Sequence, residues 1–214
     1  MSILNLTDGI ANFAAVTVQT YPSIEHGRLD TVRSIVLHRT DSFSAKSSLS
    51  AYQAGQKTGA HFLIDTDGCV MQTASLQKQC WHVGQLQSRC MNESSCSPSE
   101  LSSINGMLQQ KGQTWRQRYV AVSRFEAAKA YPARYPSNSD SIGIEVVGKF
   151  LNSVAGYQRP TDAQKKSLAW LVGALLSEYG LQLSRDVFAH GDIARKEKLE
   201  GSQLLQFLRA GVRQ

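Results

Sequence analysis

Two short apolar runs far apart in the chain each end in a histidine, and this constrains the fold more than any other feature. "RSIVLHRT" (33 to 40) is β-branched and apolar up to His38, and "RDVFAH" (185 to 190) is a second short strand closing on His190. Runs of this length and composition are core strands, and such strands present chemistry at their ends. Whatever fold the chain adopts must seat both strands in one core.

The sequence between them supplies further elements. "SAKSSLSAYQAGQKTG" (44 to 59) reads as a helix stopped near Gly55 or Gly59, and "AHFLIDTDGCVMQTA" (60 to 74) as two strands joined by a tight turn at Asp67-Gly68. "SIGIEVVG" (141 to 148) is a buried strand with one charge, Glu145, in its middle. A buried carboxylate must be paired, hydrogen-bonded or functional. "TDAQKKSLAWLVGALLSEYG" (161 to 180) is a helix with a Thr161/Gln164 capping box, an apolar stripe through Leu168, Leu171, Val172, Leu175, Leu176 and Tyr179, and a closing Gly180. The stretch at about 85–140 is Ser- and Gln-rich, with one amphipathic piece at "WRQRYVAVSRFEAAKAY" and a Pro/Ser/Asn linker, and reads as an insertion packed on one side. At 214 residues the expectation is one domain, 1–214, carrying that insertion.

Lys plus Arg exceed Asp plus Glu by 23 to 17, a formal charge of +6, which favours anionic partners. No block of basic residues interleaved with aromatics is present, so nucleic acid is not expected. No run reaches the apolar length of a membrane span, and the N-terminal "MSILNLTDGIANFAAVTVQTY" does not read as a secretory signal, because Asp8 interrupts it and no basic residue precedes it. The expectation is a chain made in the cytoplasm without membrane insertion, whose work outside the cell requires another delivery route. Of four cysteines, Cys69 reads as a buried strand residue; Cys80, Cys90 and Cys96 flank a polar loop where either free thiols or a disulfide fits.

After the second histidine, "HGDIARKEKLEG" (190 to 201) adds Lys198 and Glu200. Zinc in catalytic sites is held by three ligands from His, Asp, Glu or Cys with a fourth position open. His38, His190 and Glu200 make such a set.

"IVLHRT", "GAHFLIDTDGCV", "CWHVG", "SIGIEVVG" and "AHGDIARKEKLEG", in this order and approximate spacing, resemble the zinc-dependent N-acetylmuramoyl-L-alanine amidases of the amidase-2 family, whose fold is that of the peptidoglycan recognition proteins. The resemblance covers most of residues 30 to 205 outside the insertion. It implies an α/β fold, a mixed central β-sheet flanked by helices. It implies Zn2+ as cofactor, with His38 and His190 as its histidine ligands. The third ligand, usually Asp or Cys, falls on Glu200, with Glu197 and Asp192 as alternatives. The catalytic lysine falls on Lys198, or on Lys196 if the loop is realigned by a gap. Glu145 matches the branch with a catalytic glutamate, since the position of the catalytic tyrosine in the other branch is Ala60. His61, His82, Trp81 and Arg39 are expected to contact substrate or support the site, and His26 to be incidental.

The implied activity is hydrolysis of the amide between N-acetylmuramic acid and the L-alanine of the stem peptide in peptidoglycan (murein); the alternative is a murein-binding module without turnover. The implied settings are a type VI secreted antibacterial toxin with an immunity protein as partner, a phage endolysin, or a wall-recycling enzyme, the first being favoured.

Overall fold

The computed structural model describes residues 4–211; the ends of the expected 1–214 domain lie outside the described residues. In chain order the elements are β1 (Leu6–Thr7), β2 (Ile10–Ala11), β3 (Val16–Val18), β4 (Glu25–Arg28), β5 (Ser34–Arg39), α1 (Ala45–Gln53), β6 (Phe62–Ile64), β7 (Val70–Gln72), β8 (Lys78–Cys80), α2 (Arg89–Asn92), α3 (Pro98–Gln109) and α4 (Trp115–Ala127). They continue with β9 (Ser141–Val146), β10 (Phe150–Asn152), β11 (Gly156–Tyr157), α5 (Asp162–Tyr179), α6 (Leu183–Asp186), β12 (Val187–Ala189), α7 (His190–Ile193) and α8 (Ser202–Gly211).

Six strands form one mixed sheet in the order β12-β5-β9-β6-β7-β3. β12, β5, β9 and β6 run parallel, and β6 and β7 form the antiparallel hairpin expected around Gly68, whose φ of +85° suits glycine. The α/β expectation holds: the sheet is mixed and flanked by helices. β5, wholly buried, lies between β12 and β9, so the two strands that end in histidine are neighbours.

Period-two alternation then decides what faces what. Ile35 and Leu37 of β5 and Ile142, Ile144 and Val146 of β9 pack with Leu168, Leu171 and Leu175 of α5 and with Leu204 and Leu208 of α8. Burying each of these side chains is worth roughly 1.5–3 kcal/mol. The opposite face carries Val36, packed with Val83, Leu86 and Ile193. His38 follows Val36 on that face, and Glu145 follows Ser141 and Gly143. The register sets His38 directly beside Glu145.

α5 has the expected capping box and ends at Gly180 with φ +63°. The insertion is more ordered than its composition predicts. It folds into α2, α3 and α4, with capping boxes at Ser97/Glu100 and Thr114/Gln117, and Cys90 is disulfide-bonded to Cys96. Cys80 is buried, but Cys69 is exposed rather than buried, because it precedes β7 at the end of the hairpin turn. None of the short N-terminal strands β1–β4 is marked by a clear sequence pattern; β3 pairs with β7 and closes one edge of the sheet.

Candidate metal centre

His38 leaves the end of β5, His190 begins α7 directly after β12, and Glu200 returns on the following loop. One ligand atom from each lies within 4.8 Å of the others. His38 Nδ1 and His190 Nδ1 are 2.9 Å apart, and Glu200 Oε1 lies 2.8 Å from His190 Nδ1 and 3.3 Å from His38 Nδ1. Glu200, rather than Glu197 or Asp192, is the acid brought against both histidines. Its loop is fixed by Gly191 N donating to Glu200 O at 3.0 Å, and Gly201, at φ +83°, turns the chain where a side chain would strike the Leu37 carbonyl.

The outward partners fix the histidine tautomers. His190 Nε2 donates to the Val83 carbonyl at 2.8 Å, leaving the lone pair on Nδ1. Ser141 Oγ donates to Ser137 O, so it can only accept from His82 Nε2 at 3.2 Å. His82 Nδ1 is therefore the acceptor for His38 Nε2 at 3.0 Å, which again leaves the lone pair on His38 Nδ1. Two imidazole lone pairs and a carboxylate oxygen thus converge on one point, an arrangement that repels itself unless a cation lies between them. A His2Glu set with an open side is the donor chemistry of a catalytic zinc site, so the residues present fit that ion.

Electrostatics agree. Burial, then the neighbouring His190, lowers His38 to about 4, so it is neutral at pH 7. Glu145 is raised to about 7, first by burial and then by the charge of Glu200. A carboxylate poised near neutrality beside a donor cluster suits proton transfer. Tyr52 of α1, buried, donates to Glu145 Oε2 at 3.5 Å.

The cluster lies in a cleft of about 640 Å³ lined also by Arg39, Asp41, Tyr157, Trp81, Asn138 and Lys196. Lys198 is not in this cleft. It lines a separate cavity with Asp192, Tyr135 and Asn92, and its charge acts on Asp192. Lys196, the alternative to Lys198, is the loop lysine that lines the cleft. His61 lies behind the cleft wall rather than on it. It is fully buried, accepting from Gly143 N on Nδ1 and donating to Lys78 O from Nε2, so no ring atom is free for a ligand.

His82 lines the cleft and supports His38, with its ring fitted where any side chain at Gly143 would intrude. Asn138 Oδ1, from the Pro/Ser/Asn linker, accepts from His82 N and Val83 N and holds that segment. Trp81 lines the cleft at 47% exposure and stacks on His26, ring centroids 3.6 Å apart. Arg39 lines the cleft, though its guanidinium is buried over side-chain-free Gly148 and donates to Gln158 O at 2.7 Å. Tyr52, Asn138, Ser141 and Val83 carried no sequence signal of their own, since their roles arise only from three-dimensional packing.

The family model described as N-acetylmuramoyl-L-alanine amidase (Amidase_2) matches residues 28–201, a span that holds His38, Glu145, His190 and Glu200. The chain belongs to the N-acetylmuramoyl-L-alanine amidase family. The fold of this amidase-family chain is similar to that of a selenomethionine AmpD derivative, with a TM-score of 0.59, 20% identity and coverage of 96% of this chain and 97% of that one. It is similar too to the N-acetylmuramoyl-L-alanine amidase LysC from Clostridium intestinale URNW (TM-score 0.51, 14% identity, coverage 92% and 97%) and to the catalytic domain of XlyA (TM-score 0.52, 17% identity, coverage 90% and 98%). At these identities the likeness is one of fold. No curated protein sequence matches the chain. No helix among the described residues of this amidase-family chain is long and apolar enough to cross a membrane.

Proposed function

We propose that this chain is a zinc-dependent peptidoglycan amidase that hydrolyses the bond between the lactyl group of N-acetylmuramic acid and the L-alanine of the stem peptide. The observation that carries the reading is the convergence of His38 Nδ1, His190 Nδ1 and Glu200 Oε1 within one cleft, beside Glu145.

His38, His190 and Glu200 would hold the ion, which when bound supplies Lewis acidity toward the scissile carbonyl and lowers the pKa of water to about 7. Glu145 takes a proton from the attacking water on a carboxylate oxygen and passes it to the leaving amide nitrogen. The products are a lactyl carboxylate and a peptide with a free L-alanine amine. This matches the glutamate branch of the family. Lys196, on the cleft, places positive charge near the negative charge that develops on the carbonyl oxygen. Trp81 and Arg39 line the path of the substrate.

The setting we infer is attack on the wall of another cell, as a type VI delivered toxin, with an immunity protein covering the cleft of the producer's own copies. The Cys90–Cys96 disulfide, which suits an oxidising compartment, supports it over a cytoplasmic recycling role; a phage endolysin is the nearest alternative setting.

The test is mass spectrometry of purified murein after incubation with the protein, with and without a zinc chelator. Free stem peptides beginning at L-alanine, lost with chelator and restored by zinc, are expected. Intact muropeptides under all conditions would overturn the enzyme in favour of a murein-binding module.

A further inference from the structure

The insertion bears on the metal loop, on the reading that His190 is a ligand. The turn that carries His190 is tied to the insertion by a dense set of hydrogen bonds. Gln87 N donates to Ile193 O at 2.8 Å, and Arg195 N donates to Gln85 O at 2.8 Å. The Gln87 side-chain amide donates to Gly191 O at 3.1 Å and to Ala194 O at 2.8 Å. Its Oε1 accepts from Asn92 Nδ2 at 3.0 Å, and the same Asn92 amide reaches Asp192 O at 3.3 Å. Gln87 and Asn92 therefore hold the carbonyls of α7 and of Ala194, which caps it.

Asn92 ends α2, a four-residue helix that has no stability of its own. Its anchor is Cys90, disulfide-bonded to Cys96 at the start of α3 and packed on Ile104 and Val122. The disulfide is thus the fixed point from which Asn92 and Gln87 reach the metal loop.

We propose that the Cys90–Cys96 disulfide is a redox latch on the metal site: closed, it keeps Asn92 and Gln87 on the 191–194 carbonyls and His190 facing its co-ligands; open, it lets the loop loosen and the metal leave. Opening is a two-electron reduction by a dithiol. The S–S bond breaks, Cys90 and Cys96 take up two electrons and two protons as thiols, and the dithiol becomes its own disulfide. Gln87 is a positioning residue in this scheme. The chain would hold its metal weakly among reducing thiols and tightly in an oxidising compartment.

The test uses the full chain carrying Cys69→Ser, which removes the exposed thiol. Its zinc Kd is measured by competition with a chromophoric chelator, oxidised and after phosphine reduction. Amide hydrogen exchange of residues 187–201 is followed in the metal-free protein. Reduction is expected to raise the Kd ten- to a hundredfold, the usual effect of losing outer partners of a metal ligand, and to speed exchange. Gln87→Ala is expected to raise the oxidised Kd similarly and to leave reduction little further to do. Tight zinc binding and slow exchange that ignore redox state would overturn the latch while leaving the metal site standing. If reduction also releases α3 and α4, Gln87→Ala decides, and an unchanged Kd in that variant overturns the latch. Absence of zinc binding in both states would overturn the metal reading and the latch with it.

Discussion

His38 Nε2 and His82 Nδ1 lie 3.0 Å apart, and the hydrogen between them belongs to His38. This contact points the lone pair of His38 at the ligand cluster, although His82 itself is not a ligand. His82→Ala should therefore weaken zinc binding by roughly ten- to a hundredfold, while His82→Gln, which can still accept a hydrogen bond, should recover part of the loss. Chelator competition on the three proteins checks this; equal affinities would remove His82 from the site.

Both loop lysines line the neighbouring cavity, but only Lys196 also reaches the cleft. Lys196→Ala should lower kcat by about a hundredfold, the scale of one lost electrostatic contact to an oxyanion, and Lys198→Ala should stay near the parent. Steady-state rates on soluble muropeptides decide, and the reverse order would restore Lys198.

Glu145→Gln keeps the shape of the side chain and removes its basicity. The expected outcome is a loss of about 10²- to 10⁴-fold in kcat, with zinc content unchanged by elemental analysis. Substantial turnover by this variant would exclude Glu145 as the proton carrier.

The buried histidine His61 makes a prediction about stability. Burial lowers its folded pKa to about 4, against about 6.5 unfolded. Between these values the unfolded chain binds a proton that the folded chain refuses. Its contribution to stability therefore falls as pH drops from about 6.5 to about 4, by up to ~1.4 kcal/mol per pH unit, and levels off below. His61→Gln should flatten that part of the urea-midpoint profile of the metal-free protein; identical slopes would contradict it.

Much of this molecule was legible in its sequence because its signals are local. The strand ends at His38 and His190, the hairpin at Gly68 and the capped helix from Asp162 are set by periodicity and turn chemistry within a few residues. Counting back from Glu200 points to Lys198, whereas the loop lysine that lines the cleft is Lys196, a placement set by how the loop folds and not by spacing. The family resemblance sets His61 in the hairpin next to the site, and its ring nitrogens are taken by the Gly143 and Lys78 backbone, which no pattern reveals. The helix α4, behind its "TWRQ" capping box, is the amphipathic piece the sequence shows, whereas α3 carries a capping box, "SPSE", but its weak apolar stripe in polar sequence hid it. The tautomer relay through Ser137, Ser141 and His82 exists only once β9 lies beside β5.

The candidate ligands also come from distant parts of the chain: His38 and His190 are 152 residues apart, and His38 and Glu200 162. A metal ion held by all three therefore works as a removable cross-link between the first and last strands of the sheet's parallel half. Free zinc at a hundred times its Kd would add about 2.7 kcal/mol to the stability of the folded chain. The availability of zinc would then govern how long the molecule survives as well as how fast it works, and a chain stripped of metal would be the one most easily unfolded, degraded or threaded through a narrow channel.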